Sequence, residues 1–367
     1  MKKLHFFVVL LMLLVGVFVF AAKQPSPITT EAAGKGKTES TPVARTDDSF
    51  TFAVVGDSRK ANPFEGLRNT IVNKTRRLII DKIVESNPAF LVNTGDLILK
   101  SAEKEDWQEF KKLNQVFKDR KIPYYPVLGN HDYRGNQAAA MADYFDYFPV
   151  LNEQLWYTLT YTNCGLIMLD SNFTKLSKED IARQNKWLEY TLSKYRDDSN
   201  ISFVLVFFHH PPFTNSRYNQ PDKQAQANFV PLLNKFSKVK FVFNGHTHSY
   251  ERFRIKAINY VVTGGGGAPL VALLPAGKSR YKDEYDTTGK KPRGTHFCLV
   301  TVGQDYIDLK TLHIDPAKLT WSDGDSYREE YSQKPRAGEW PQETGQTEEL
   351  VDIRMHLVTG LSDFPLF

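Results

Sequence analysis

The chain has 367 residues, of which 41% are hydrophobic and 13% aromatic, enough for a real core and too much for a disordered chain. Its formal net charge of +5 is small for this length, and the lysines and arginines are scattered, so no nucleic-acid partner is expected.

Met1-Lys2-Lys3, the nearly unbroken apolar run Leu4 to Phe20 and Ala21-Ala22 predict an export signal over 1–22, either cleaved or kept as a membrane anchor. The lysines ahead of the run put the mature domain outside the cytoplasm, as a periplasmic, extracellular or membrane-anchored protein. Residues 23–48 are rich in Pro, Thr, Ser, Ala and Gly and read as a flexible linker. A folded domain is expected over 49–314. Residues 315–367 turn polar and read as a poorly packed extension with a late apolar segment, Leu350 to Leu361.

Within the domain one pattern repeats. Phe52 to Val55 runs into Gly56-Asp57-Ser58-Arg59, and Phe90 to Val92 into Asn93-Thr94-Gly95-Asp96. Tyr125 to Leu128 runs into Gly129-Asn130-His131-Asp132, and Leu166 to Leu169 into Asp170-Ser171-Asn172. Phe203 to Phe208 runs into His209-His210-Pro211-Pro212, and Phe241 to Phe243 into Asn244-Gly245-His246-Thr247-His248. Short continuous apolar runs are the signature of strands buried on both faces. Helix-compatible segments lie between them, near Leu67 to Ser86, Glu103 to Lys118, Ser177 to Tyr195 and Gln224 to Phe236. The alternation implies an α/β sandwich whose polar clusters meet beyond the strand ends. Thr295 to Val302 and Tyr306 to Leu312 read as a hairpin closing a second sheet, and Tyr144 to Phe148 as aromatic core. Cys164 and Cys298 each sit in an apolar run and read as buried thiols, although export would permit a bridge.

Asp57, Asp96, Asn130, His209, His246 and His248 form a mixed carboxylate, amide and imidazole set, which suits Mn, Fe or Zn better than Ca. His246 and His248, two apart on a strand end, would point the same way and reach two neighbouring ions, with Asp96 bridging. Two metals about 4 Å apart hold a hydroxide nucleophile and clamp a phosphoryl oxygen. His131 beside them could protonate the leaving oxygen, and Gly129 would provide the sharp turn that delivers it.

In that order these motifs resemble the calcineurin-like metallophosphoesterase family. Ser249-Tyr250-Glu251-Arg252 and the Gly264 to Gly267 run are similar to its purple-acid-phosphatase branch. The resemblance implies a four-layer α/β/β/α fold, two mixed sheets flanked by helices, and hydrolysis of phosphate mono- or diesters. It implies that Asp57, Asp96 and His248 hold one metal and that Asn130, His209 and His246 complete a second, with His131 as acid oriented by Asp132. His210 is a substrate contact or a loop-shaping residue. Two departures stand out. The first motif has Asp57-Ser58-Arg59 where the family has Asp-x-His, and Leu97 follows Asp96 where the branch has tyrosine. Arginine cannot ligate a metal while protonated. Arg59 therefore clamps a substrate phosphate, leaves one metal only, or points elsewhere.

Two other classes compete. Gly56-Asp57-Ser58 is similar to the first block of Gly-Asp-Ser esterases with Ser58 as nucleophile, but the nearest C-terminal pair, Asp352 and His356, is spaced one residue too far. The lost ligand at Arg59 would also suit a membrane-tethered binding protein on a degenerate scaffold.

Overall fold

The computed structural model describes residues 49–331 apart from 62–66, 287 and 289. The export signal, the linker, the pair Asp352 and His356, and the segment Leu350 to Leu361 lie outside the described residues.

The first sheet contains β1 (Phe50–Val55), β2 (Leu91–Asn93), β3 (Tyr124–Pro126), β10 (His296–Val302), β11 (Tyr306–Asp315) and β12 (Thr320–Glu330). Its order is β12-β11-β10-β1-β2-β3. The second contains β4 (Tyr157–Tyr161), β5 (Cys164–Met168), β6 (Phe203–Phe207), β7 (Val239–Asn244), β8 (Tyr250–Ile255) and β9 (Ile258–Thr263), in the order β4-β5-β6-β7-β9-β8. Both sheets are mixed. β1, β2 and β3 run parallel, as do β5, β6, β7 and β9, while β10 and β4 pair antiparallel with their neighbours.

Strand alternation builds the layers. Phe50, Phe52 and Val54 of β1 share one core between the sheets with Phe203, Leu205 and Phe207 of β6. Ala53 and Val55 turn outward beneath α1 (Leu67–Glu85), α2 (Lys104–Asp119) and α3 (Gln137–Tyr147). Val204 and Val206 turn outward beneath α4 (Lys178–Asp197), α5 (Lys223–Asn228) and α6 (Val230–Leu233). The result is the expected four-layer α/β/β/α sandwich. Among the described residues no helix is long and apolar enough to cross a membrane.

The hairpin expected to close a second sheet instead extends the first, β10 pairing with β1 and β11 with β10. Two further parts of the chain differ from the sequence reading. The expected boundary at residue 314 falls inside the β11–β12 hairpin, which pairs from Tyr306 opposite Glu330 to Asp315 opposite Thr320. β12 looks like a polar tail because its carboxylates are used across the sandwich. Asp325 accepts from Arg252 Nε at 2.6 Å and from Tyr250 Oη at 2.9 Å, and Glu329 forms a forked pair with Arg254. The other is α3, whose N-cap Asn136 accepts from Ala139 N at 3.1 Å ahead of an alanine-rich turn. It carries Tyr144 into the core beside Phe148. Cys164 and Cys298 are free, buried thiols on different sheets.

Candidate metal centre

Asp57, Asp96, Asn130, His131, His209, His246 and His248 all follow strand ends and converge. Three of the connecting turns depend on left-handed backbone at non-glycine residues: φ is 57° at Asp57, 55° at Asp96 and 66° at His246. Each such residue costs about 1–3 kcal/mol, and such strain collects at functional sites. The turns interlock. Asp57 N donates to Gly95 O at 2.9 Å, Arg59 N to Asp96 O at 3.1 Å, and His246 N to Asp57 Oδ2 at 2.8 Å. Gly129 is required for close approach rather than for a left-handed turn, since a Cβ there would overlap the backbone and carboxylate of Asp96.

The ligand atoms fall into two groups. Asp57, Asp96 and His248 each offer an atom within 4.8 Å of the others, and so do His209, His210 and His246. Asn130 joins the second group, its Oδ1 lying 3.1 Å from His209 Nε2 and 3.0 Å from His246 Nδ1. Asp96 Oδ1 lies 3.4 Å from His209 Nε2, so this carboxylate stands between the groups. His246 and His248 do not point the same way, as a strand end would require. They lie in a turn after β7, where Thr247 N donates to Gly245 O and Ser249 N to Thr247 O, and each imidazole faces a different group.

Hydrogen bonds fix the imidazole tautomers. His248 Nδ1 lies 2.5 Å from Pro269 O, His209 Nδ1 2.9 Å from Thr94 O, and His131 Nδ1 2.8 Å from Leu99 O. A carbonyl only accepts, so each Nδ1 carries the proton and each Nε2 presents a lone pair to the site. Asp57 Oδ1 is buried, has no hydrogen-bond partner and lies 3.2 Å from His248 Nε2. Two fully buried carboxylates facing imidazole lone pairs fit a bound cation. Burial lowers His246 and His131 to about 4, so both are neutral ligands or acceptors at neutral pH. For Asp96 burial acts upward, but the imidazoles of His209 and His131 hold it well below the usual carboxylate range.

Asp132 does not orient His131. It is fully buried and turned away from the ring, accepting from Gly129 N at 2.8 Å, Asp96 N at 3.0 Å and Leu97 N at 3.1 Å. It ties the turns after β2 and β3 together, and the carbonyl of Leu99 holds the imidazole instead. His210 stands beside the second group, its ring 4.6 Å from that of His246. Ser171 Oγ lies 2.9 Å from both His210 N and His210 Nδ1. The sequence assigns no role to Ser171 within its motif, nor to the carbonyls of Thr94, Leu99 and Pro269. Arg59 is buried with its Nε 4.0 Å from Asp96 Oδ2 and without a hydrogen bond at that atom, close enough to the centre to meet a bound anion. Two nearby cations are committed elsewhere: Lys60 pairs with Asp106, and Arg76 with Glu109. Ser58 Oγ accepts from Asn93 Nδ2 at 3.1 Å, and no described imidazole hydrogen-bonds it.

The sequence profile of the calcineurin-like phosphoesterase family matches residues 50–250, over half of the chain. The chain belongs to the calcineurin-like phosphoesterase family. It is 23% identical over 244 residues to a phosphoenolpyruvate phosphatase of Allium cepa, covering 62% of this chain and 47% of that protein. It is 27% identical over 220 residues to purple acid phosphatase 1 of Ipomoea batatas, covering 53% and 45%. The chain thus spans about half the length of these curated relatives. Among solved structures, a purple acid phosphatase from yellow lupin seeds superposes with a TM-score of 0.59 at 16% identity, over 81% of this chain and 57% of that one. GAP50, described as the anchor in the inner membrane complex of Plasmodium, superposes at 0.53 with 18% identity, over 79% and 90%. Both likenesses support the shared fold, and the sequence relatives support the purple-acid-phosphatase-like branch.

Proposed function

We propose that this protein is a metal-dependent phosphoesterase acting on phosphate mono- or diesters outside the cytoplasm, exported or tethered by its first 22 residues. Asp57, Asp96 and His248 would hold one ion, and Asn130, His209 and His246 a second, with Asp96 shared. The observation that carries this reading is the meeting of the unpartnered Asp57 Oδ1 with His248 Nε2 at 3.2 Å, beside a second imidazole group that shares Asp96. Mn, Fe or Zn in these sites would polarise phosphoryl oxygens and lower the pKa of a bound water.

The protein's own residues have separate tasks. Arg59, whose Nη1 donates to Lys60 O at 3.1 Å, presents its unpartnered Nε to a phosphoryl oxygen on the Asp96 side of the centre. His210, held by Ser171, faces the second group and orients the substrate. His131 stands with Nε2 3.8 Å from Asp96 Oδ2 and delivers a proton to the leaving oxygen when it is itself protonated. The test is metal stoichiometry and phosphoester turnover in the wild type and in Asp96→Ala.

A second reading is a binding scaffold that uses the fold without turnover. Arg59 at the expected position of a ligand favours it, and one structural neighbour is described as an anchor. Metal binding without turnover would support it. The Ser58 esterase has little support, since that hydroxyl lacks an imidazole base among the described residues.

A further inference from the structure

A cavity of about 550 Å³ opens beside the metal centre and shares His248 with it. One wall is apolar, made by Leu270, Val271, Leu273 and Leu274. The lining also contains Asp283, Asp286 and Arg293. A phosphoryl group needs far less room. Cavities of this size take small organic molecules.

The apolar wall is fixed to the centre. Ala268 N donates to Asp57 O at 3.0 Å, His248 Nδ1 to Pro269 O, and Val271 N to His248 O at 3.2 Å. Its far end is tied to the 214–217 loop: Leu274 N donates to Asn215 O at 2.8 Å, and Ser216 bridges Leu273. A wall held this way keeps a fixed distance from Asp57 and His248.

These charged groups are paired with one another and with nearby backbone. Asp283 accepts from Arg293 Nη1, Arg252 N and Tyr285 N, and Asp286 from Thr288 and Lys291 N. Arg293 donates besides to Tyr250 O and Asp286 O. Few hydrogen-bonding positions are left for an occupant, so the cavity selects by shape and apolar contact.

We infer that this cavity receives the organic group of the substrate, and that the group is bulky and apolar, packed against Leu270 to Leu274 while the phosphoryl group faces Asp57 and His248. The inference rests on the phosphoesterase reading above. It makes the wall after Gly267 a specificity determinant that includes none of the candidate ligands.

The test compares kcat/KM for 1-naphthyl phosphate and methyl phosphate in the wild type, Leu274→Trp and Ser279→Trp. Ser279 lines the cavity from an exposed position, so its replacement spares the core. Filling the cavity should lower the naphthyl-to-methyl ratio by at least about 10-fold, the scale on which apolar pockets discriminate, while metal content stays unchanged. A ratio unchanged within about twofold in both variants, with both esters still hydrolysed, would overturn the assignment. A wild-type protein that hydrolyses neither ester would overturn the phosphoesterase reading, and the cavity assignment with it.

Discussion

Asp57 Oδ1 and His248 Nε2 meet at 3.2 Å with no proton donor between them, because His248 spends its Nδ1 proton on Pro269 and Asp57 Oδ1 has no hydrogen bond. Two lone pairs this close are mutually repulsive unless a cation separates them. Without metal a proton takes that place: burial disfavours charge on His248, but Asp57 raises its pKa.

Asp57→Asn should therefore weaken the first ion far more than the fold. Asparagine tolerates the left-handed backbone that Asp57 adopts. Metal content should fall by about one ion per chain and kcat/KM by at least about 100-fold, while the metal-free Tm falls only slightly, through loss of the Asp57–His248 contact. Elemental analysis and thermal unfolding check this. Full metal content in the variant would exclude Asp57 as a ligand.

Asp132 is a structural tie in this account. Asn in its place keeps the size but loses acceptor capacity for the three N–H groups of Gly129, Asp96 and Leu97. Asp132→Asn should cost about 1–3 kcal/mol of stability, measured by denaturant unfolding. The pH dependence that remains should match the wild type. A variant of normal stability with an altered pH profile would restore the role of orienting His131.

His131 has its pKa lowered to about 4 by burial, so roughly one molecule in a thousand carries the imidazolium at pH 7. The sign follows directly: a depressed pKa empties the acid form as pH rises. For esters with poor leaving groups, kcat should increase as pH falls from 7 towards 5, with metal kept saturating. His131→Gln should abolish that slope and retain metal. A slope that survives in the variant would assign the proton to another group.

The motifs and the strand rhythm were legible because short runs buried on both faces must be apolar, and because ligand chemistry restricts residue type. Phe203 to Phe208 followed by His209 is an example. What was not legible depends on the backbone or on distant partners. Asp132 looked like a partner for His131 because the two adjoin in sequence, but a neighbouring side chain need not share a direction, and Asp132 turns to three amides. The carbonyls of Leu99 and Pro269 that set the tautomers leave no mark in the residue types. β12 read as a polar tail because Asp325 and Glu329 answer Arg252 and Arg254, which lie 73 and 75 residues earlier.

Arg59 separates the remaining outcomes at the first site. As a substrate contact, Arg59→Ala should raise KM by about 10-fold or more with metal content unchanged. Lysine should restore little, because it lacks the planar fork. An Arg59→Ala protein that gains an ion would instead mean that the guanidinium excludes one.

The most direct measurement is the metal stoichiometry of the full chain, with turnover of p-nitrophenyl phosphate and its bis-ester, in the wild type and in Asp96→Ala. About two ions per chain with turnover, both lost in the variant, is the predicted result. Turnover that persists in Asp96→Ala, or in wild-type protein stripped of metal, would contradict a centre built on a shared Asp96.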